Sequence, residues 1–432
     1  MIKIYIRQVI QVMKSNPFMS IISVIGTALA IAMVMCVVII DKVKNDPLVP
    51  EVNRDRSLFV VGTTVNFSNE SQESNSFLSV KVIEQVIRGI EGAEIVTGYN
   101  PLVTNYVSLR GTTNGAVANV IASDHEFFRA FEYDFIYGEP FTEADFKSAI
   151  NKAVICESTA KRLFGTADVV GKTFNIDFKE YMVCGVVKDV SLLASRSYAE
   201  VWYPYTTVTD QTEFIEGIMG MFSCCIVAKD KESFPIIRAD LDKRLEEFNK
   251  GLDNMRISFH NQPCTTSEVD DILSLGLNRY LEFDNNRREA ILFDVLLILV
   301  ALLVPGINLS STTQSRMRRR MEEIGVRKVF GATRMDIIKQ ILLENLIMTL
   351  LGGFFGLVIA YLGVTIISDM VAGAVVVLTA VGGDAMLDMR SMISIDVFVL
   401  AFVFCLILNL VSALVPAWLT SKQSVVKALG RQ

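Results

Sequence analysis

The run SNPFMSIISVIGTALAIAMVMCVVII, Ser15 to Ile40, holds no charged residue. Three more such runs follow at Val295–Ser315, Asn345–Ser368 and Val397–Ser421. A helix crossing a bilayer needs about 20 mostly apolar residues, because each rises about 1.5 Å through roughly 30 Å of hydrocarbon. All four runs reach that length, so four transmembrane helices are expected. A fifth apolar stretch, Val371–Gly383, is too short to span and reads as an interfacial or surface segment. The 432-residue chain is 51% hydrophobic, and these runs carry the excess over a soluble domain. Lys3, Arg7 and Lys14 give the first run the basic start of a signal peptide. Its apolar part exceeds the roughly 7–15 residues of a signal core, and no small-x-small cleavage site follows, so an uncleaved anchor is expected.

Basic residues in short loops set the orientation. The N-terminal tail has Lys3, Arg7 and Lys14 and no acid, and the C-terminal tail has Lys422, Lys427 and Arg431 and no acid. Between runs two and three stand Arg316, Arg318, Arg319, Arg320, Arg327, Lys328, Arg334 and Lys339 against Glu322, Glu323 and Asp336. The loop between runs three and four is acidic, with Asp369, Asp384 and Asp388 against Arg390. Four crossings put both tails and the basic loop on one side, the cytoplasm. Residues 41–289 then lie outside, with 26 Lys and Arg against 38 Asp and Glu, a net charge of −12. An acidic outer domain argues against nucleic acid as a partner, and the basic rim suits anionic membrane lipid or an acidic protein surface.

The outer stretch alternates short β-branched runs with helical patterns. Strands are expected at Leu58–Val65, Ile95–Val96, Val103–Leu109, Ala116–Ile121, Ala153–Cys156, Thr173–Asp177, Tyr181–Val187, Val201–Tyr203 and Ser223–Val227. Helices are expected at Leu78–Ile90, His125–Phe131, Ser158–Phe164 and Ser233–Lys250, the last with Phe234, Ile237, Leu241, Leu245 and Phe248 on one stripe. The fold class is thus an α-helical membrane protein with four transmembrane helices and a mixed α+β extracytoplasmic domain of two lobes on a helical stalk. Its segments are a cytoplasmic tail (1–16), helix 1 with stalk (17–44), the outer domain (45–266), and stalk with helix 2 (267–315). A cytoplasmic coupling loop (316–340), helix 3 (341–368), an outer loop (369–394), helix 4 (395–420) and a cytoplasmic tail (421–432) complete it. Of seven cysteines, Cys156, Cys184, Cys224 and Cys225 fall in strand-like runs, which favours buried free thiols. A disulfide involving Cys264 stays open.

The basic loop carries the most information. In RRRMEEIGVRKVFGATR, Arg318 to Arg334, Met317, Met321 and Ile324 form an apolar stripe beside Arg316, Arg320 and Arg327. Glu323 stands four residues from both Arg319 and Arg327. Such a helix lies in the membrane interface. Gly331 suits a left-handed cap, and Thr333 with Asp336 suits a capping box opening the next helix.

The stretch Met321 to Gly356, with EEIGVRKVFGATRMDIIKQILLENL and LLGGFFG, resembles the signature of the FtsX-like permease family, membrane subunits of MacB/LolCDE-type ABC transporters. The ending SALVPAW (Ser412–Trp418) and VVKAL (Val425–Leu429) resembles it too. Ala118–Asp189, with YGEPFTEADF, KAVICESTAKRLFG and VVGKTFNI, resembles a MacB-type periplasmic core; the match weakens over a distal lobe near residues 191–230. The resemblance implies a permease dimer, of like or unlike copies, carrying cytoplasmic ABC ATPase subunits. ATP is used by that partner and no cofactor is bound by this chain. It also implies mechanotransmission to the outer domain, where a periplasmic adaptor or substrate protein would act. Glu322, Glu323, Ile324, Gly325, Arg327, Lys328, Gly331 and Ala332 are the residues it assigns to ATPase docking. A regulator of a periplasmic cell-wall hydrolase, a lipoprotein-release permease and a sensor without an ATPase are the alternatives; an outer stretch of this size favours the MacB-like reading over the regulator.

Other motifs carry less. Gly165–Thr173 imitates a phosphate-binding loop, but the first glycine of that pattern would fall on Thr166. No catalytic or metal-ligating set is expected around His125 and His260. The acids Asp124, Glu126, Glu139, Glu143 and Asp145 sit near turns, where solvated carboxylates are ordinary. Asp294 opens run two, Pro305-Gly306 is placed to kink it, and Gly352, Gly353 and Gly356 have the spacing of close helix packing.

Overall fold

The computed structural model describes residues 17–67, 73–109, 111, 115–208, 213–214, 217–260, 262–266, 268–269, 329–379 and 395–422, with isolated positions between 292 and 326. The chain divides into two compact units. One holds Met1–Lys42, Leu292–Ile367 and Met389–Gln432, the other Val43–Ile291 and Ser368–Asp388.

Helix α1, Pro17–Asn45, leads into the α/β unit. Along the chain follow β1 (Ser57–Val60), β2 (Thr63–Phe67), β3 (Glu73–Leu78) and α2 (Val80–Val82), which continues as a π turn over Ile83–Ile87. Then come β4 (Ala93–Ser108), β5 (Gly115–Ser123), α3 (Phe127–Ala130), β6 (Phe135–Gly138), α4 (Glu143–Lys147), β7 (Lys152–Cys156), α5 (Glu157–Phe164), β8 (Thr173–Ile176) and β9 (Lys179–Val187). The unit closes with β10 (Val201–Pro204), β11 (Glu213–Phe214), β12 (Met219–Gly220), β13 (Ser223–Ala228), α6 (Phe234–Asn249) and β14 (Met255–Phe259).

Two sheets form. A nine-stranded sheet runs β1-β13-β4-β5-β10-β7-β9-β6, and β8 pairs with both β4 and β9. That double pairing closes β4, β5, β10, β7, β9 and β8 into a ring. Val107, Val120, Ile155, Phe174, Val186 and Tyr203 fill it from their respective strands. A five-stranded sheet runs β11-β12-β3-β2-β14. Alternation along each strand divides the core. In β10, Val201 and Tyr203 face the ring, while Trp202 enters an aromatic cluster with Phe127, Phe128, Tyr133 and Phe141. In β1, Leu58 and Val60 face α6 and the second sheet, and Phe59 faces the aromatic side. The stripe expected on α6 is observed: Ile237 and Leu241 are buried, and Phe234, Leu245 and Phe248 pack around them.

Several expectations are corrected. The strand drawn over Leu58–Val65 is two strands in two sheets, separated at Gly62, where a Cβ would lie 2.6 Å from His260 Nδ1 and 2.8 Å from Ser76 O. The separate strands at Ile95 and Val103 are one strand, β4, with a register shift between Asn100 and Val103 that accommodates Pro101. The distal lobe is not residues 191–230. Its sheet joins 63–78, 213–220 and 255–259, while β10 and β13 belong to the larger sheet.

Two of the acids taken as solvated are buried. Asp124 accepts from Thr97 Oγ1 at 2.6 Å, Arg88 Nη2 at 2.9 Å and Gly98 N at 3.0 Å. Asp145 caps α4 through Thr142 and pairs with Lys152 at 2.8 Å. Burial pushes the Asp145 carboxyl up, but Lys152 and Thr142 outweigh it and hold it below the usual range.

The open disulfide is also settled: Cys156, Cys184, Cys224, Cys225 and Cys264 are free thiols. Cys224 and Cys225 point to opposite faces of β13, and Phe59 stands between Cys225 and Cys264, bonded across to Cys264 at 2.7 Å. Burial pushes the Cys224 and Cys225 thiols up, which keeps them protonated and unreactive.

Two further helices follow: α7 spans Arg334–Thr379 and α8 spans Ile395–Lys422. Among the described residues two helical stretches are long and apolar enough to cross a membrane, Ser20–Ile39 and Met335–Gly363, and Val397–Ile407 is a shorter apolar helical stretch. Run two is described only at Val295, Leu296, Leu299, Val300 and Leu303, each helical. The stretch from Val371 is not a separate interfacial segment up to Thr379, because α7 runs through it unbroken for 46 residues. No proline interrupts it, and its glycines are tolerated inside the helix.

Candidate functional site

The helical unit is held by absences of side chain. A Cβ at Gly352 would lie 2.7 Å from Thr27 Cβ, one at Gly353 2.7 Å from Phe402 Cε2, and one at Gly356 2.9 Å from Ala28 O. The small residues on α7 therefore let α1 and α8 approach its backbone, as their spacing predicts. Polar groups within this packing are also satisfied locally. Thr349 Oγ1 donates to Asn345 O one turn back at 2.8 Å, and both residues are buried.

At the start of α7 lies an elbow. Phe330 N donates to Val326 O at 3.1 Å, so one helical turn ends there. Gly331 follows with φ +94°, a conformation that a Cβ disfavours. Thr333 and Asp336 then cap one another. Thr333 N and Oγ1 donate to Asp336 Oδ2 at 3.0 and 2.6 Å, and Asp336 N donates to Thr333 Oγ1 at 3.2 Å. Both the left-handed glycine and the box with its shorter acid match the sequence expectation.

Of the residues assigned to docking, Gly331 and Ala332 stand in this elbow. Glu322, Glu323, Ile324, Gly325, Arg327 and Lys328 lie outside the described residues, as do Asp294 and Pro305-Gly306. Sequence reasoning missed the apolar side chains at the elbow: Phe330 is 86% exposed, and Val329 and Met335 are exposed too. The signal was present, since Val326, Val329 and Phe330 recur at i, i+3 and i+4 between basic residues.

Where the α/β unit begins, a buried ion pair fixes the chain. Arg54 Nε meets Glu51 Oε2 at 2.7 Å, and Arg54 Nη2 donates to Leu193 O at 2.6 Å. Glu51 Oε1 accepts from Arg196 N at 2.8 Å and from Ser197 N and Oγ, both at 3.1 Å. Segments some 140 residues apart in sequence are thereby joined. His125 and His260 sit beside Phe146 and beneath Gly62 respectively. The imitation phosphate loop follows helix α5 and precedes strand β8, the reverse of the strand-loop-helix order that such a loop requires.

Apolar helices packed through glycine and a large α/β domain together fit a membrane protein with an extracytoplasmic domain. The chain belongs to the MacB/FtsX-like ABC transporter permease family. The model of the MacB-like periplasmic core domain matches residues 20–244 and that of the FtsX-like permease C-terminal region matches residues 295–425. It is similar to the macrolide export ATP-binding/permease protein MacB 1 of Yersinia pestis bv. Antiqua, 22% identical over 360 residues, which are 81% of this chain and 50% of that protein. It is also similar to the ABC transporter permease YknZ of Bacillus subtilis, 22% identical over 98% of both chains. The chain thus spans about half the length of the MacB relatives and nearly the full length of YknZ. Among solved structures, the periplasmic region of MacB from Actinobacillus actinomycetemcomitans matches at 16% identity and a TM-score of 0.36, covering 51% of this chain and 92% of that one.

Proposed function

We propose that this chain is the permease subunit of a MacB/FtsX-type ABC transporter that relays ATP hydrolysis by a separate cytoplasmic ATPase to its outer domain. Four helices cross the inner membrane with both termini inside, and two permeases, like or unlike, form the working pair. ATP is bound by the partner, and this chain is not itself an enzyme. The observation that carries the reading is the elbow at Gly331–Asp336. A left-handed glycine ends one turn, and a reciprocal cap starts a continuous 46-residue helix, so a push on the elbow moves α7 as a rod. Phe330 and Val329, exposed beside the basic residues, supply an apolar anchor for a cleft on an ATPase. The substrate is then handled outside the cytoplasm, by movement of the outer domain. The YknZ and MacB likenesses support this class.

The test is co-purification with its cytoplasmic ATPase partner. Changing Glu323 and Gly325 together, or Phe330→Ala alone, should remove the ATPase from the purified complex while the outer domain keeps its melting transition. Normal ATPase content in the double variant would overturn the docking assignment.

A further inference from the structure

The β8–β9 hairpin turns through only two residues, Asp177 and Phe178, both with positive φ (+43° and +69°). Tight hairpin turns of this kind favour asparagine then glycine, because a Cβ resists the left-handed region. A phenylalanine there is a costly choice, and its ring is 90% exposed. Backbone strain and apolar exposure coincide on one residue, in a domain whose other large aromatic rings are mostly buried. The tip is also held in place. Asp177 N donates to Tyr106 O and Asp177 Oδ1 accepts from Tyr106 N, both at 2.9 Å, and Asn105 Nδ2 donates to Asp177 Oδ2. The carboxylate thus clamps the turn to β4 and fixes where the backbone presents Phe178.

We infer that Phe178 is a preformed anchor that inserts into an apolar cleft on an extracytoplasmic protein partner with a basic rim. In sequence the ring is flanked by Asp177, Lys179 and Glu180, with Asn105 bonded to Asp177, which places one apolar anchor inside a polar border. Membrane insertion needs a broader apolar face and a basic border. The outer stretch carries a net charge of −12, which repels both an anionic lipid surface and a second copy of the same domain and favours a partner of opposite charge. The inference is independent of ATPase docking, since the tip belongs to the outer domain alone.

Phe178→Asn tests it, because asparagine accepts the left-handed backbone and lacks the ring. The full-length protein in detergent should keep its Tm or gain about 2–4 °C. A photoreactive benzoylphenylalanine placed at position 178 should give, in cells, an adduct with a protein identifiable by mass spectrometry. Once purified, that protein should bind the Phe178→Asn chain at least tenfold more weakly than the unchanged chain, and Phe178→Tyr should restore binding. ATPase co-purification should be unaffected by either substitution. A fall in Tm in Phe178→Asn would make the ring structural and overturn the inference. Adducts only with lipid or a second copy, no adduct, or a partner indifferent to the ring would overturn it equally.

Discussion

The two units use opposite means of packing. The outer domain is built by adding side chains: Trp202, Phe59, Phe127 and Phe141 fill the space between its layers. The helical unit is built by removing them: Gly352, Gly353 and Gly356 leave room for Thr27, Phe402 and Ala28. Solvent explains the contrast. In water each buried apolar area is itself a driving force. In lipid, tails are as apolar as leucine, so helices gain only from close contact.

The comparison breaks most readily at the large side chains. Trp202→Ala removes a fully buried ring 4.9 Å from Tyr133 and should cost the outer domain about 3–5 kcal/mol, measured as a loss of melting temperature. Arg54→Met strands Glu51, and breaking a buried pair from one side costs about 3–5 kcal/mol. If Arg54→Met melts like the unchanged protein, the Glu51 joint does not hold the segment after α1.

Adding volume should damage the helical unit as removing it damages the outer one. Gly356→Leu forces a side chain against Ala28 O and Ile31 and should cost about 1–3 kcal/mol, seen as lost heat resistance in detergent. Gly363→Ala, where nothing stands within 4 Å of the added Cβ, should be neutral; equal damage at both positions would refute packing as the cause.

Smaller effects come from charge and thiol chemistry. Burial pushes Cys184 up to about 12, so at pH 8 it should resist maleimide until the domain unfolds, and non-reducing electrophoresis should show no shift. Asp240 is held low first by the Glu91 N–H, against burial, and then by Arg244. Its folded value lies below the unfolded one of about 3.9, so its stabilisation is complete above that pH and is lost as pH falls through the lower, folded value. Asp240→Asn should therefore lower Tm at pH 6, with a difference that shrinks as pH falls below about 4; a difference constant with pH would rule the carboxylate out.

Local features were legible in the sequence. The α6 stripe, the Thr333–Asp336 box, the left-handed Gly331 and the close-packing glycines are each written within a few neighbouring residues. The second sheet is hidden because β2, β3, β12 and β14 are paired across as many as 196 residues, and β3, ESNSFL, is too polar to read as a strand. Asp124 looked solvated because its partners Arg88 and Thr97 lie 36 and 27 residues away. The exposed ridge at Val329 and Phe330 is only two residues long between Arg327-Lys328 and Arg334, too short to stand out as an apolar segment.

The sequence by itself determined which stretches are apolar enough for a membrane, where the charge asymmetry falls and where α7 begins. These follow from local composition and from hydrogen bonds within one turn. Only the tertiary structure decided which strands share a sheet, which carboxylates are buried, that every described outer cysteine is a free thiol, and that Phe178 is presented rather than packed. Those depend on which distant segments meet, and residue type alone does not encode that.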